Sequence, residues 1–364
     1  MTHSRERVIS SDYMEWAKTK SGATYSLATS GVMPFPLAEL PVTIEDLEIN
    51  GPSTYGYEPL QTALARKCGV AEQCVVASTG TSMANHLALA ATIEPGDHVL
   101  IENPTYELLT SAALYLGAEV RTFDRRFENQ FRIDPDDVAR AVTPKTRLIV
   151  ITNLHNPTGA FTDARTLTAL GEIATRAGAR VLVDEVYLEA MFDQAPRSAF
   201  HLGDHFITTA SLTKAYGLSG LRAGWILAEP RLARKIWRLN DLFGSIPVHL
   251  AERLSVVALA HLDRITARAK QLLVPNRSAL RGFFDYCAAL DVVWPEYGTI
   301  AFPRLGAGNV DGLLSLLREK YETTAVPGRF FGKENHFRIG MGGDPAVFRE
   351  GLRRVASAIQ EIGA

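Results

Sequence analysis

Seven short apolar runs, CVVAS, HVLIE, EVRTF, RLIVIT, RVLVDE, FITTAS and GWILA, follow one another between Cys74 and Ala228, and stretches of helical periodicity separate several of them, from Ser82, around Leu108–Leu114 and from Thr166 to Arg176. Few folds accept this pattern. Runs with no polar alternation are strands buried on both faces, and a strand–helix alternation buries them by laying helices over both sides of a mostly parallel sheet. The flanks follow other rules. The first 45 residues read as an arm: SDYMEWAKTK makes a helical turn or two, and LATSGVMPFPLAELP is broken by three prolines and a glycine. After a loop at GPSTYGYEPL, LQTALARKC reads as a helix with Leu60, Leu64 and Cys68 on one face. A polar-apolar stretch from about Pro247 to Phe284 reads as helix, and beyond it short strands (DVVWP, IAFPRL, HFRIGMG) and two helices suggest a smaller α+β unit. The expected division is an arm over 1–45 belonging with the small unit, a large α/β domain over 46–270 and a small domain over 271–364.

Composition sets the class. With 364 residues, 46% of them hydrophobic and 21% charged, the chain can bury a large core. A formal net charge of -2 gives no electrostatic footing for nucleic acid or an acidic membrane. Three cysteines, Cys68, Cys74 and Cys287, are too few for a disulfide framework and lack metal-ligand spacing. The N-terminus is charged throughout and no later run is long enough to span a bilayer, so the expectation is a soluble protein of the reducing cytoplasm.

Doubly wound sheets collect their ligands beyond the carboxyl ends of the strands, so the residues after each run matter most. CVVA is followed by Ser78-Thr79-Gly80-Thr81-Ser82 and then a helix, an arrangement that offers backbone N–H groups and a positive dipole end to an anion, or else only a helix cap. HVLIE leads to Asn103-Pro104-Thr105-Tyr106, where Tyr106 can stack on a flat ring or cap the core. RLIVIT leads to Asn153-Leu154-His155-Asn156-Pro157-Thr158-Gly159, by itself an Asn-Pro turn with His155 as a packed histidine. RVLV leads to Asp184-Glu185-Val186-Tyr187, and a buried carboxylate there needs a cationic or hydrogen-bonding partner, such as a protonated pyridine nitrogen. Last comes Ser211–Trp225, SLTKAYGLSGLRAGW, with Lys214 between the hydroxyls of Ser211 and Thr213 and the glycines Gly217, Gly220 and Gly224 around Arg222. A lysine that forms a Schiff base sits in a tight pocket beside an anion site, and the Arg222 fork suits phosphate oxygens. The competing reading is a Gly-rich turn with a solvated lysine.

Taken in order, the Gly-Thr-Ser loop, NPTY, NPTG, DEVY, SLTKAYGLSGLRAGW and FRIGMG resemble the class I/II aminotransferases, fold type I enzymes that depend on pyridoxal 5'-phosphate, and the likeness covers nearly the whole chain. The resemblance implies that Lys214 carries the cofactor as a Schiff base and then serves as general base at the substrate Cα. It implies that Asp184 pairs with the ring nitrogen, that Tyr187 and Asn156 bond the phenolic oxygen, and that Tyr106 stacks on the ring. Gly80, Thr81, Ser82, Ser211 and Arg222 would hold the phosphate, Arg338 in HFRIGMG would hold the substrate carboxylate, and the backbone of Gly31 would lie beside that carboxylate. The partners implied are an amino acid, a 2-oxo acid and a second copy of the chain.

One position departs from the family. A tyrosine is usual five residues before the glycine matching Gly56, where it reaches the partner's phosphate site, and here Gly51 stands there. Tyr55 or Tyr57 could substitute. Ser245 resembles a second cross-subunit contact, or caps the helix ahead of Pro247. Carbon–sulfur lyases and other eliminating enzymes share all these motifs, and some regulators carry the domain as a sensor behind a winged helix, for which the chain has no added module. A nicotinamide dehydrogenase would need GxGxxG after the first strand, which ASTGTSMAN does not supply. The apolar Val32-Met33-Pro34-Phe35-Pro36, if it lines the side-chain pocket, favours neutral or aromatic donors.

Overall fold

The computed structural model describes residues 8–363. A seven-stranded sheet organises them, made of β1 (Val75–Thr79), β2 (His98–Asn103), β3 (Glu119–Asp124), β4 (Thr146–Thr152), β5 (Arg180–Asp184), β6 (Phe206–Ser211) and β7 (Ala223–Leu227). Its order is β1-β7-β6-β5-β4-β2-β3, and β7 alone runs against its neighbours. All seven apolar runs are strands of this sheet. Strand periodicity shows in where their side chains go: Val99, Ile101, Val150 and Leu182 enter one core cluster with α3 (Gly80–Thr92), α4 (Glu107–Tyr115) and α7 (Pro230–Asn240). Leu100, Ile149, Ile151, Val181 and Val183 enter another with α5 (Pro135–Ala141) and α6 (Ala164–Arg176). Both faces are thereby dry along the inner strands β2, β4, β5 and β6, while the edge strand β3 buries only Phe123.

Several details differ from the sequence reading. Helix α3 begins at Gly80, not at Ser82, so the Gly-Thr-Ser triplet is its first turn. The stretch from about Pro247 is two helices, α8 (His249–Ala260) and α9 (Leu262–Tyr286), broken at His261, whose φ of -122° leaves the helical region. Helices α5 and α7 were absent from that reading; both start with an acidic cap and a proline, Asp134-Pro135 and Glu229-Pro230.

In the arm, α1 (Asp12–Thr19) is capped by the Ser11 side chain, and Tyr25–Ser26 pair in parallel with Thr323–Thr324. Leu27 and Val32 join a cluster with Ala269, Leu273, Phe337, Ile339 and Phe348 from α9, the short strand Phe337–Gly340 and α11 (Pro345–Ile362). The arm brings no core of its own: Leu27 and Val32 pack with these C-terminal residues, whereas Phe35 and Leu40 pack with Leu60, Leu64, Leu212 and Tyr216. The remaining helices are α2 (Glu58–Cys68), packed against α8, and α10 (Val310–Tyr321), packed against α11. No helix among the described residues is long and apolar enough to cross a membrane.

Candidate active site

At the edge of the sheet where β1, β4, β5 and β6 end lies a cavity of about 350 Å³, within the usual range for small-molecule sites. Thr81, Ser82, Tyr106, Asn156, Asp184, Tyr187, Ser211, Lys214 and Arg222 all line it. The other three candidates adjoin it. Gly80 opens α3 against Arg222, Gly31 lies on the backbone of Lys214, and Arg338 bonds Asn156 at 2.9 Å.

Lys214 leaves β6 on a short loop, and its Nζ donates to Ser30 Oγ at 2.8 Å. Enclosure by protein, with the Arg338 and Arg222 charges adding to it, lowers its pKa to about 8 against the opposing pull of Asp184. Its proton is therefore released nearer to physiological pH than that of an ordinary lysine. Asp184 ends β5, where it is buried and raised to about 6, chiefly by desolvation. Its Oδ2 accepts from Asn85 Nδ2 at 2.7 Å and its Oδ1 from the Val186 amide at 3.0 Å. Asn85 is itself oriented, because its Oδ1 accepts from Thr209 Oγ1 at 2.6 Å and so turns the amide nitrogen toward the carboxylate. Tyr187 is buried, and desolvation pushes its phenol up to about 12, which keeps it a proton donor.

Where Arg222 meets the start of α3, the cavity offers donors suited to an anion. Gly80 has φ +76°, and a Cβ there would stand 2.3 Å from an Arg222 terminal nitrogen, so glycine lets that guanidinium close on the first turn of α3. The Thr81 hydroxyl is buried with no partner. The helix cap, Thr79, makes no side-chain bond, so the capping alternative is not what the hydroxyls do. A free hydroxyl, a helix N-terminus and an arginine fit a phosphate, Lys214 fits an aldehyde, and Asp184 fits a basic ring nitrogen. The residues present thus suit pyridoxal 5'-phosphate.

Arg338, on the strand Phe337–Gly340, is fully buried. Its terminal nitrogens donate to Asn156 Oδ1 at 2.9 Å and to the Tyr13 hydroxyl at 3.0 Å, while Nε is buried with no partner. Among the described residues no carboxylate pairs with it.

Sequence reasoning missed the layer beneath. Glu102 and Arg125, both fully buried, pair at 2.7 Å, and Glu102 Oε1 accepts from the Thr152 amide and hydroxyl at 2.6 and 2.7 Å. Thr152 Oγ1 in turn accepts the Asn156 amide at 2.8 Å, so the pair fixes the loop that presents Asn156. His155 is, as expected, a packed residue, bonded to Thr158 and the Pro104 carbonyl. Asn85 was legible only as a polar residue in an otherwise apolar helix, and Tyr13 and Ser30 only as parts of the arm.

The side-chain pocket needs a correction. Val32 and Phe35 are buried in core clusters, and none of Val32–Pro36 lines the cavity. Its apolar wall comes from Met14, Trp16 and Ala17 of α1 and from Ala28. Near the departure at Gly51, the Tyr55 hydroxyl bonds Asp241 at 3.1 Å and Tyr57 packs edge-on against His249, neither of them in the cavity. Ser245 is exposed at φ +56° and does not cap α8, whose cap is Val248.

The family model for aminotransferase class I and II matches residues 47–355. Capreomycidine synthase of Streptomyces vinaceus is 32% identical over 355 residues, covering 94% of this chain and 90% of that protein. Among solved structures, a PLP-dependent aminotransferase from Streptococcus suis superposes with a TM-score of 0.91 at 26% identity, over 98% of this chain and 99% of that one. The PLP-dependent cyclase OrfR superposes with a TM-score of 0.88 at 27% identity, over 100% of both chains.

Proposed function

The chain belongs to the aminotransferase class I and II family, whose cofactor is pyridoxal 5'-phosphate, and we propose that it moves the amino group of a neutral or aromatic L-amino acid to a 2-oxo acid. The observation that carries the amino-acid reading is Arg338, a fully buried guanidinium with a free Nε and two neutral acceptors. Its partners offset the cost of burial but leave the charge without a counter-ion among the described residues, which a substrate carboxylate would supply. The Met14, Trp16, Ala17 and Ala28 wall supports a neutral or aromatic side chain, since no carboxylate or spare cation lies on it.

In this reading Gly80, Thr81, Ser82, Ser211 and Arg222 would hold the cofactor's phosphate, Asp184 its ring nitrogen, Tyr187 and Asn156 its phenolic oxygen, and Tyr106 the ring. When bound, the cofactor supplies a conjugated ring that accepts the electron pair of a breaking Cα–H bond. The chain does the rest. Lys214 would hold the aldehyde carbon, and its free amine would take the proton from the substrate Cα. Arg338 grips the carboxylate, with the Gly31 backbone beside it, and so aims the Cα–H bond at Lys214 Nζ. Asp184, whose anion accepts from Asn85 and the Val186 amide, would favour a protonated ring nitrogen. Tyr187 keeps its own proton and donates.

A homodimer is part of the proposal. Leu242, Phe243, Ile246 and Val248 are exposed, and Val248 shares an apolar hollow with Arg222, so the patch borders the phosphate cradle. A cytoplasmic setting is likewise part of the proposal.

A second reading rests on the relatives. Capreomycidine synthase and the cyclase OrfR cover nearly the whole chain, so a variant of the chemistry that ends in elimination or ring closure is the alternative. The test is a panel of amino donors given to the yellow holoenzyme without acceptor. Transfer predicts bleaching of the cofactor band and one equivalent of 2-oxo acid, and both disappear in Lys214→Ala. A band that returns unbleached while ammonia or a cyclised amino acid accumulates replaces transfer by the alternative.

A further inference from the structure

We propose that the hydroxyl of Tyr13 is a second ligand for the substrate's α-carboxylate, placed over Arg338 by helix α1; this rests on the reading of Arg338 given above. The Tyr13 oxygen accepts from an Arg338 terminal nitrogen at 3.0 Å. Its own proton therefore points elsewhere, and among the described residues it has no acceptor. A phenol oxygen can accept one bond and donate another at once. A carboxylate lying on the Arg338 fork has more lone pairs than the fork engages, and the Tyr13 O–H is the adjacent donor.

The hydroxyl is held in place for this. The Tyr13 ring is 7% exposed and meets Tyr106 edge-on at a centroid distance of 5.7 Å, with Phe330 and Phe331 at 5.7 and 5.9 Å. The backbone of α1 is tied to the same place, since Ser11 Oγ and the Tyr13 amide donate to one oxygen of Glu107 at 3.0 and 2.7 Å. Glu107 opens α4 directly after Tyr106. One short segment thus locates both a cavity-lining ring and, through α1, the phenol. A donor fixed by packing loses little entropy when the ligand arrives. Tyr13 and Asn156 accept from different terminal nitrogens of Arg338, so the phenol adds a donor from α1 beside the fork.

The experiment is calorimetric binding of 3-phenylpropanoate, a carboxylate that cannot react, to holoenzyme of the wild type, Tyr13→Phe, Glu107→Gln and Arg338→Met. Tyr13→Phe keeps the ring contacts and removes one bond to a charged group, and should weaken binding about tenfold. It should raise KM for the amino donor by a similar factor with kcat changed less than about twofold, a split that general loosening of the fold would not produce. Glu107→Gln, which leaves the phenol intact but slackens its support, should cost about threefold. Wild-type affinity in Tyr13→Phe beside a large loss in Arg338→Met would overturn the inference and leave the reading of Arg338 standing. Unchanged affinity in Arg338→Met would overturn both.

Discussion

Replacing Arg338 with methionine separates a binding role from a structural one, because the two make opposite demands on stability. The side chain is fully buried, so moving its charge out of water costs several kcal/mol. Against this stand two hydrogen bonds, to Asn156 and Tyr13, each worth about 1.5–3 kcal/mol for a charged donor. Cation–π contacts to Tyr13 and Phe331, at 5.7 and 5.0 Å, add roughly 0.5–1 kcal/mol each. These quantities nearly cancel. Methionine fills much of the same volume without a charge, so the cofactor-free protein should change in stability by less than about 1.5 kcal/mol. Breaking a structural ion pair would cost about 3–5 kcal/mol instead. The ligand side is not balanced: losing a bidentate charged contact should cost on the order of 3 kcal/mol, about a hundredfold in the efficiency with an amino-acid donor. Denaturant unfolding of the cofactor-free protein, paired with donor titration of the holoenzyme, reads both numbers. A loss of 3 kcal/mol or more in stability, or an unchanged donor response, refutes the reasoning. Arg338→Lys should recover only part of the affinity, since a point charge cannot reproduce the fork.

Lys214 has its pKa lowered to about 8, and only the neutral amine attacks an aldehyde, so the rate at which the cofactor-free protein takes up pyridoxal 5'-phosphate should rise with pH through an apparent pKa near 8. A rate still climbing toward the ordinary lysine value would show that burial does not tune it. Asn85→Leu removes the donor that keeps Asp184 anionic and should weaken cofactor binding by about 2 kcal/mol, roughly thirtyfold, in equilibrium dialysis. Thr209→Val should act the same way more weakly, and equal cofactor affinity in both variants and wild type would remove Asn85 from the site. Leu242→Glu, in the exposed apolar patch, should shift the mass measured by light scattering from dimer to monomer; a wild type that is already monomeric at micromolar concentration would end the dimer proposal.

The sheet was legible because its inner, dry strands write themselves as apolar runs; the edge run EVRTF, charged and mostly exposed, was legible by its place in the alternation. The helices were less so. Helix α7 carries arginines and a lysine on its outer face, which dilutes its apolar stripe, and the break at His261 has no proline or glycine to mark it. At the site, the residues that follow strands were readable because topology alone sends them to one edge. Asn85, Tyr13, Ser30 and the Glu102–Arg125 pair were not, since each acts through a partner 50 or more positions distant or, for the pair, 23. Separations of that kind leave no local spacing to detect. The pocket wall was misplaced for a related reason: Val32 and Phe35 are apolar because they pack in cores, and apolarity does not say which void a residue faces.

The direction of β7 has a mechanical consequence. A chain leaving β6 at Ser211 would need a long crossover to start another parallel strand, and that strand would begin at the far edge of the sheet. Because β7 is reversed, the chain turns back within the loop and re-enters the sheet at Ala223, on the edge it has just left. Lys214 and Arg222 therefore sit on one connection, clamped at both ends by the same ladder of hydrogen bonds. Any tilt or slide of this hairpin carries both side chains together and leaves their spacing unchanged. Resizing the loop by a single residue would alter that spacing without disturbing the rest of the sheet, so under the proposed function its length would act as the gauge for the cofactor the two residues would hold.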